Sequence, residues 1–347
     1  MRRRFTCGSV LAPLLATGLL ATGCASRATY FRVTHPATLD ATAFGNSFAV
    51  ASFEGGYPQA ASQIRRELEQ RIAHSLNRSI RLMGQGAGLT ITGTVVSNDY
   101  QERIDAHSGQ CSRRVEAGRD AAGRMQYRTV QYGCTWLTRA GTAVARLQLG
   151  VMATQTGQVI VSQMYEQRRD ATTSGMRSPY SDENREPPPI DGSSILRTLN
   201  SQIVDQFARI ILPWQQVVEV ELEDCDDDAR CERGFHLVRS GDLRGAEGLF
   251  TQVIDETAPA AAAPDPDGDT VERLAEALYN RGVARGYQGR YAEAVADLVR
   301  AIQMRPNESA WGQQLAAVRT LQHNQEALRR QGAISADTQD VRTGGAP

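Results

Sequence analysis

Residues Glu272–Asn307 read ERLAEALYNRGVARGYQGRYAEAVADLVRAIQMRPN, and the rest of the chain is understood outward from them. The stretch divides into two helices of matched length. The first carries Leu274, Leu278 and Val283 among Ala275, Ala277 and Ala284. The second places Tyr291, Ala294, Val295, Leu298, Ala301 and Ile302 on one stripe, the i, i+3, i+4, i+7 spacing of a helix that buries one face. Gly289 lies between them, where the absence of a Cβ permits a tight reversal. Pro306 stops the second helix because it cannot donate to the helical ladder.

Gly282, Ala284, Gly289, Tyr291, Ala294, Ala301 and Pro306 together resemble the tetratricopeptide repeat, a helical hairpin with a period of about 34 residues. Two helices approach closely only where side chains are short, which is the reason for the small residues. Arg281 and Arg285 stand where the family usually has Leu and Tyr, so loose outer packing is expected there. Upstream, Ala229–Glu256 looks like a degenerate copy: Gly234, Gly241, Ala246, Phe250 and Val253 precede Gly282, Gly289, Ala294, Leu298 and Ala301 by 48 residues. The excess over one period is assigned to a linker over 257–270. Ser309–Arg330, with Trp311, Leu315, Val318 and Leu321 on one face, resembles the helix that caps such arrays. The resemblance implies an all-α domain over 223–330 with a concave groove for a protein or peptide partner. Glu276, Tyr279 and Val283 are the partner-binding residues it points to.

The amino terminus reads as a targeting segment over 1–23, with Arg2-Arg3-Arg4 followed by the apolar run Val10–Ala21. Leu20-Ala21-Thr22-Gly23-Cys24-Ala25 resembles a bacterial lipobox, which implies cleavage before Cys24 and lipidation of its thiol. Several acyl chains on one residue suffice for stable anchoring. Ala25-Ser26 lacks the Asp that retains many such lipoproteins at the inner membrane, so an outer-membrane anchor facing the periplasm is expected, with residues 24–46 as tether and a short strand. With Cys7 lost with the leader, Cys111, Cys134, Cys225 and Cys231 remain. An even number in an oxidising compartment points to disulfides. Three pairings are open, and sequence proximity favours Cys111–Cys134 with Cys225–Cys231. Their spacings do not form the Cys-x-x-Cys pairs of a structural zinc site.

Residues 47–222 read as an α+β domain: a mixed or antiparallel sheet with two long helices on one face. Ser47–Phe53 is an apolar strand. A helix follows from about Pro58 to Asn77, with Ile64, Leu68, Ile72 and Leu76 on its buried face. Leu89–Ser97 alternates as a strand does. Tyr100–Tyr127 is polar and is read as a long hairpin or loop. Met125–Trp136, Thr142–Ala153 and Gln158–Glu166 are strands, the last two joined at Thr156-Gly157. Thr172–Gly192 is read as a loop. A second helix over about Ser194–Leu212, capped by Ser193 or Ser194, buries Ile195, Leu199, Ile203, Phe207 and Ile210, and Val217–Leu222 adds an edge strand. SFAVASF, LTITGTVVS and ARLQLGVMATQTGQVIVS resemble the small α/β domain shared by the curli-secretion lipoprotein, the peptidoglycan-synthase activator lipoproteins and the amino-terminal domain of TolB. That resemblance implies an oligomeric assembly role or a role in wall synthesis.

The net charge of −1 argues against a nucleic-acid partner, which would leave a basic footprint. Asp265, Asp267, Asp269 and Glu276 have the relative spacing of calcium-loop ligands, but Thr270 sits where the sharp turn needs Gly, so an acidic linker is expected instead of a metal site. The histidines His35, His74, His107, His236 and His323 are scattered, and no H-E-x-x-H, G-x-S-x-G or phosphate-loop motif is present. The sequence therefore points to a non-catalytic, lipid-anchored envelope protein without cofactor, acting as an adaptor or scaffold. The alternatives are a homo-oligomeric secretion or assembly component and a regulator of peptidoglycan synthesis. Residues 331–347 are expected to be a disordered tail.

Overall fold

The computed structural model describes residues 27–334 and the two-residue strand Arg342–Thr343. The leader, Cys24 and the rest of the expected tail lie outside the described residues. The architecture is α+β. In chain order the strands are β1 (Ala28–His35), β2 (Ser47–Val50), β3 (Arg81–Leu82), β4 (Leu89–Arg119), β5 (Met125–Ala153), β6 (Val159–Arg177), β7 (Trp214–Glu221) and β8 (Arg342–Thr343). The helices are α1 (Pro58–Ala73), α2 (Gly192–Ile211), α3 (Ala229–Ser240), α4 (Leu243–Ala261), α5 (Gly268–Tyr287), α6 (Tyr291–Met304) and α7 (Ser309–Arg330).

The five-stranded sheet has the order β3-β2-β4-β5-β6; β2 runs parallel to both neighbours and the remaining pairs are antiparallel. Its core is built from Ile64, Leu68 and Ile72 of α1, Leu199, Ile203 and Phe207 of α2, and Leu89, Ile91, Leu147, Leu149 and Val151 of the sheet. Both helices thus cover one face, and the sequence periodicity follows from that burial. Two local expectations change. The first helix ends at Ala73, so Leu76 leaves the buried stripe and is 47% exposed. Asp191, not Ser193 or Ser194, caps α2, accepting the Ser194 N–H at 3.0 Å.

The polar stretch Tyr100–Tyr127 belongs to one continuous hairpin. β4 and β5 pair from Leu89↔Ala153 to Arg119↔Met125, so the two strands read between 125 and 153 are a single β5. At about 3.3 Å per residue, the 31-residue β4 is about 100 Å long. β6 accompanies β5 as far as Thr135↔Arg177, taking up the first part of the expected loop. Beyond that point only two strands remain, and apart from the patch around Cys111 and Cys134, which the segment 180–185 covers, both faces meet water, which is why no clean alternation marks them. The Cys111–Cys134 disulfide ties the two strands together there.

The expected edge strand of this sheet is displaced for a physical reason. β7 pairs along its whole length with β1, from Ala28↔Glu221 to His35↔Trp214, and β8 pairs with Phe31 and Arg32 on the other side of β1. This ribbon is sealed against the helices: Phe31, Val33, Val220 and Leu222 belong to the same buried core as Leu278, Val283, Phe250 and Trp311. The amphipathic ribbon finds its apolar cover on the helical array, so β1 and β7 form a sheet apart from the five-stranded one.

The helical hairpins follow the sequence pattern. A Cβ on Gly234 would stand 2.5 Å from Phe250, and one on Gly282 2.8 Å from Leu298, so each pair of helices meets at a glycine. Gly241 and Gly289 adopt φ of +92° and +81° at the two reversals. The expected linker 257–270 is mostly helical: α4 continues through Pro259 to Ala261 and α5 begins at Gly268, capped by Asp267. Arg281 and Arg285 do not loosen the repeat. Arg281 grips Asp297 with two bonds of 2.9 and 2.7 Å, and Arg285 reaches both Asp297 and Glu247 at 2.8 Å, so buried ion pairs replace the usual apolar contacts.

Phe31 is fully buried and stacks on Tyr287 with centroids 3.7 Å apart. Phe31→Ala is expected to cost about 3–5 kcal/mol in denaturant unfolding, with helical signal lost earliest; a cost under about 1 kcal/mol would mean that the ribbon is not part of this core.

Candidate partner-binding surface

The residues expected to face a partner are all buried. Glu276 and Tyr279 are each 4% exposed and Val283 is fully covered. Tyr279 and Val283 lie in one buried core with Phe31, Val33 and Val220, so this face of α5 holds the protein's own ribbon. This corrects their assignment as contacts for an outside peptide. The Tyr279 hydroxyl donates to the Glu221 carbonyl at 3.1 Å, and its ring stacks on Trp311 with centroids 5.0 Å apart. Burial raises the Tyr279 hydroxyl pKa well above its ordinary value, so it stays a donor.

One residue that the sequence reading did not single out carries the contact. Asn280 Oδ1 accepts the Glu223 N–H at 2.9 Å, and Asn280 Nδ2 donates to the Glu223 carbonyl at 2.7 Å. The side-chain amide thereby satisfies both backbone groups of one residue, as a neighbouring strand would. The signal that could have found it is an Asn among the buried positions of α5, next to Tyr279 and one turn after Glu276. Trp311 Nε1 donates to Glu223 Oε1 at 2.8 Å, fixing the same residue by its side chain. The joint is held further by the Cys225–Cys231 disulfide, which closes a turn where Cys225, Asp226 and Asp227 all have φ between +54° and +59°. Such conformations disfavour residues with a Cβ and persist where the surroundings impose them.

A second amide clamp holds the other end of the ribbon. Gln331 Oε1 accepts the Ala37 N–H at 3.1 Å and Gln331 Nε2 donates to the Ala37 carbonyl at 2.7 Å. Asn77 Nδ2 donates to the Gln331 carbonyl at 2.8 Å, joining the end of α7 to the sheet unit. Gln331, the first residue of the expected disordered tail, is therefore ordered and 8% exposed. His35 stacks on Trp214 at 4.2 Å and accepts from Asn324 Nδ2 at 3.2 Å; burial lowers its pKa, which keeps it neutral.

Glu276 sits in an acidic pocket. Arg305 is its partner at 3.1 Å but is shared with Glu272 and Glu308. Burial, then the charges of Glu223, Asp224 and Glu272, push the Glu276 carboxyl up to about 8, and one shared guanidinium does not offset them. The other calcium-like positions do not converge on it: Asp267 caps α5 and Asp269 lies in its first turn.

Exposed large apolar side chains have a clear distribution. Val159, Met164, Ile104 and Trp136, each about half exposed or more, lie on the sheet unit, and Val217 lies on β7, while α3–α7 contribute none. Trp136, Gly175, Met176 and Asp182 border a cavity of about 380 Å³ beside the Cys111–Cys134 disulfide. A second groove of about 380 Å³ lies between the carboxyl ends of α1 and α2, with Arg71, His74, Arg209 and Trp214 on its walls. No helix among the described residues is long and apolar enough to cross a membrane.

Residues 275–308 match the tetratricopeptide repeat family, so the chain contains one repeat of this protein-interaction type. No curated protein matches the chain. Among solved structures the chain is similar to a PelC dodecamer from Paraburkholderia phytofirmans, at 13% identity over 53% of this chain and 97% of that one, with a TM-score of 0.24. A likeness at that level does not carry function to this protein.

Asn280→Ala removes both amide bonds to the Glu223 backbone and is expected to lower stability by about 2 kcal/mol in denaturant unfolding; an unchanged midpoint would show that the clamp is dispensable. The raised Glu276 pKa fixes the sign of a pH effect. The unfolded carboxyl, near its ordinary 4.5, loses its proton first, so the contribution of Glu276 to stability is fully present below about 4.5 and is lost as the pH rises to about 8. Glu276→Gln is expected to flatten that decline, measured by unfolding across the same range; an equally steep decline would assign it to other groups.

Proposed function

We propose that the protein is a non-catalytic adaptor or scaffold of the bacterial envelope, anchored through lipid on Cys24 at the outer membrane and facing the periplasm. In this reading the helical repeat binds its own chain, and the sheet unit meets other proteins. The observation that carries it is the placement of exposed apolar side chains on the sheet unit and β7, with none on α3–α7. Exposed apolar groups are the ones a partner would bury, and where they form a contiguous patch they mark such a contact.

A second reading is self-assembly into a secretion or assembly component. It is favoured by the edge of β4, which pairs with β2 only over Leu89–Ile91, so that much of a 31-residue strand has no neighbour on that side among the described residues. Unpaired strand edges are templates for pairing with another chain.

The chain contains no lysine, so amine-directed crosslinkers have almost nothing to attack. A photoreactive residue placed at Met164 or Trp136 is expected to capture the same envelope protein, and Cys24→Ala is expected to abolish the capture. Capture only from Gln322 on α7 would contradict the adaptor reading as given. Capture of further copies of the chain alone would favour self-assembly.

A further inference from the structure

We infer that the helical repeat holds the membrane-proximal end of the chain, that the surface around Arg27, Asp224 and the start of α3 faces the bilayer, and that the sheet unit is carried on the far side. The inference rests on the proposed anchoring at Cys24 and adds its geometry. Cys24 precedes Ala28 by four residues, and an extended chain spans at most about 3.6 Å per residue, so an acylated Cys24 lies within about 14 Å of the start of β1. From there β1 does not wander as a tether. It runs for eight residues along the inner face of the repeat, a path of about 25 Å, before reaching His35.

Both ends of that path are held. At the membrane-side end Arg27 pairs with Asp224 at 2.6 Å and approaches Glu232 at 3.9 Å. At the far end Gln331 clamps Ala37, and two residues later the Leu39 N–H donates to the Ile210 carbonyl, where the chain enters the sheet unit. The repeat therefore stands between anchor and sheet unit as a pedestal.

The charges at the proximal end define how it meets lipid. The Arg27 guanidinium is taken up by Asp224, and Asp226, Asp227 and Glu232 are exposed beside it. Asp226 is paired with Arg273 at 2.9 Å, and Asp228 with Arg230 at 2.7 Å. This surface has no surplus of cations for phosphate headgroups. The acyl chains, not headgroup charge, hold the protein at the membrane, and the acidic rim keeps the end of the repeat from spreading on anionic lipid.

The test uses the full chain with its acylated Cys24 in vesicles of phosphatidylethanolamine and phosphatidylglycerol that carry a headgroup quencher. A fluorophore is attached through Ala229→Cys, at the start of α3, or through Arg78→Cys, beside the Asn77–Gln331 contact; the native cysteines of the described chain are closed in disulfides. Quenching is expected to be several-fold stronger at position 229 than at 78, and binding is expected not to change with the phosphatidylglycerol fraction. Equal quenching, stronger quenching at 78, or binding that rises with anionic lipid would overturn the orientation while leaving the anchor in place. An intact mass without acyl chains on Cys24 would remove the anchoring reading, and the orientation with it.

Discussion

The structure depends on side-chain amides that stand in for a missing strand. Asn280 and Gln331 each bond both the N–H and the carbonyl of one backbone residue, Glu223 beyond β7 and Ala37 beyond β1. Buried backbone groups need partners, and a ribbon lying against helices cannot obtain them from a ladder at its ends. The two amides supply them where the ribbon enters and leaves the repeat. Between the clamps, Phe31 on Tyr287 and the Tyr279–Trp311 stack give the contact its apolar energy.

That arrangement changes what the repeat does. A helical array of this type offers an inner face suited to an extended segment, and here the segment is covalently part of the same chain. Its closure costs far less entropy than association with a free peptide. Val33, Val220 and Leu222 are core residues and not removable ligands. A partner is therefore expected on the sheet unit, whose long hairpin and half-exposed Trp136 have no such cover.

Much of this was legible from residue patterns. The glycine-centred helical hairpins, the α1 and α2 stripes and the α+β class follow from periodicities that burial imposes. Tyr100–Tyr127 read as a hairpin or a loop, and sequence did not decide between them, because a two-stranded ribbon largely wetted on both faces loses its alternation. The pairing of β1 with β7 was hidden by a separation of nearly the whole domain. Tyr279 and Glu276 are buried, and position on a helix does not say what covers it. Arg281 and Arg285 looked like departures from the family pattern until Asp297 and Glu247 supplied their partners.

The central claim is that the ribbon and the repeat form one cooperative unit in which β1 and β7 occupy the inner face of α5. Native-state amide hydrogen exchange tests it directly. The amides of Phe31, Val33, Val218 and Val220 are predicted to exchange through the same opening, with the same denaturant dependence, as those of Leu278–Val283 in α5. Rapid exchange of the β1 and β7 amides while α5 stays protected would contradict the account, because it would mean that the inner face opens to outside ligands without unfolding.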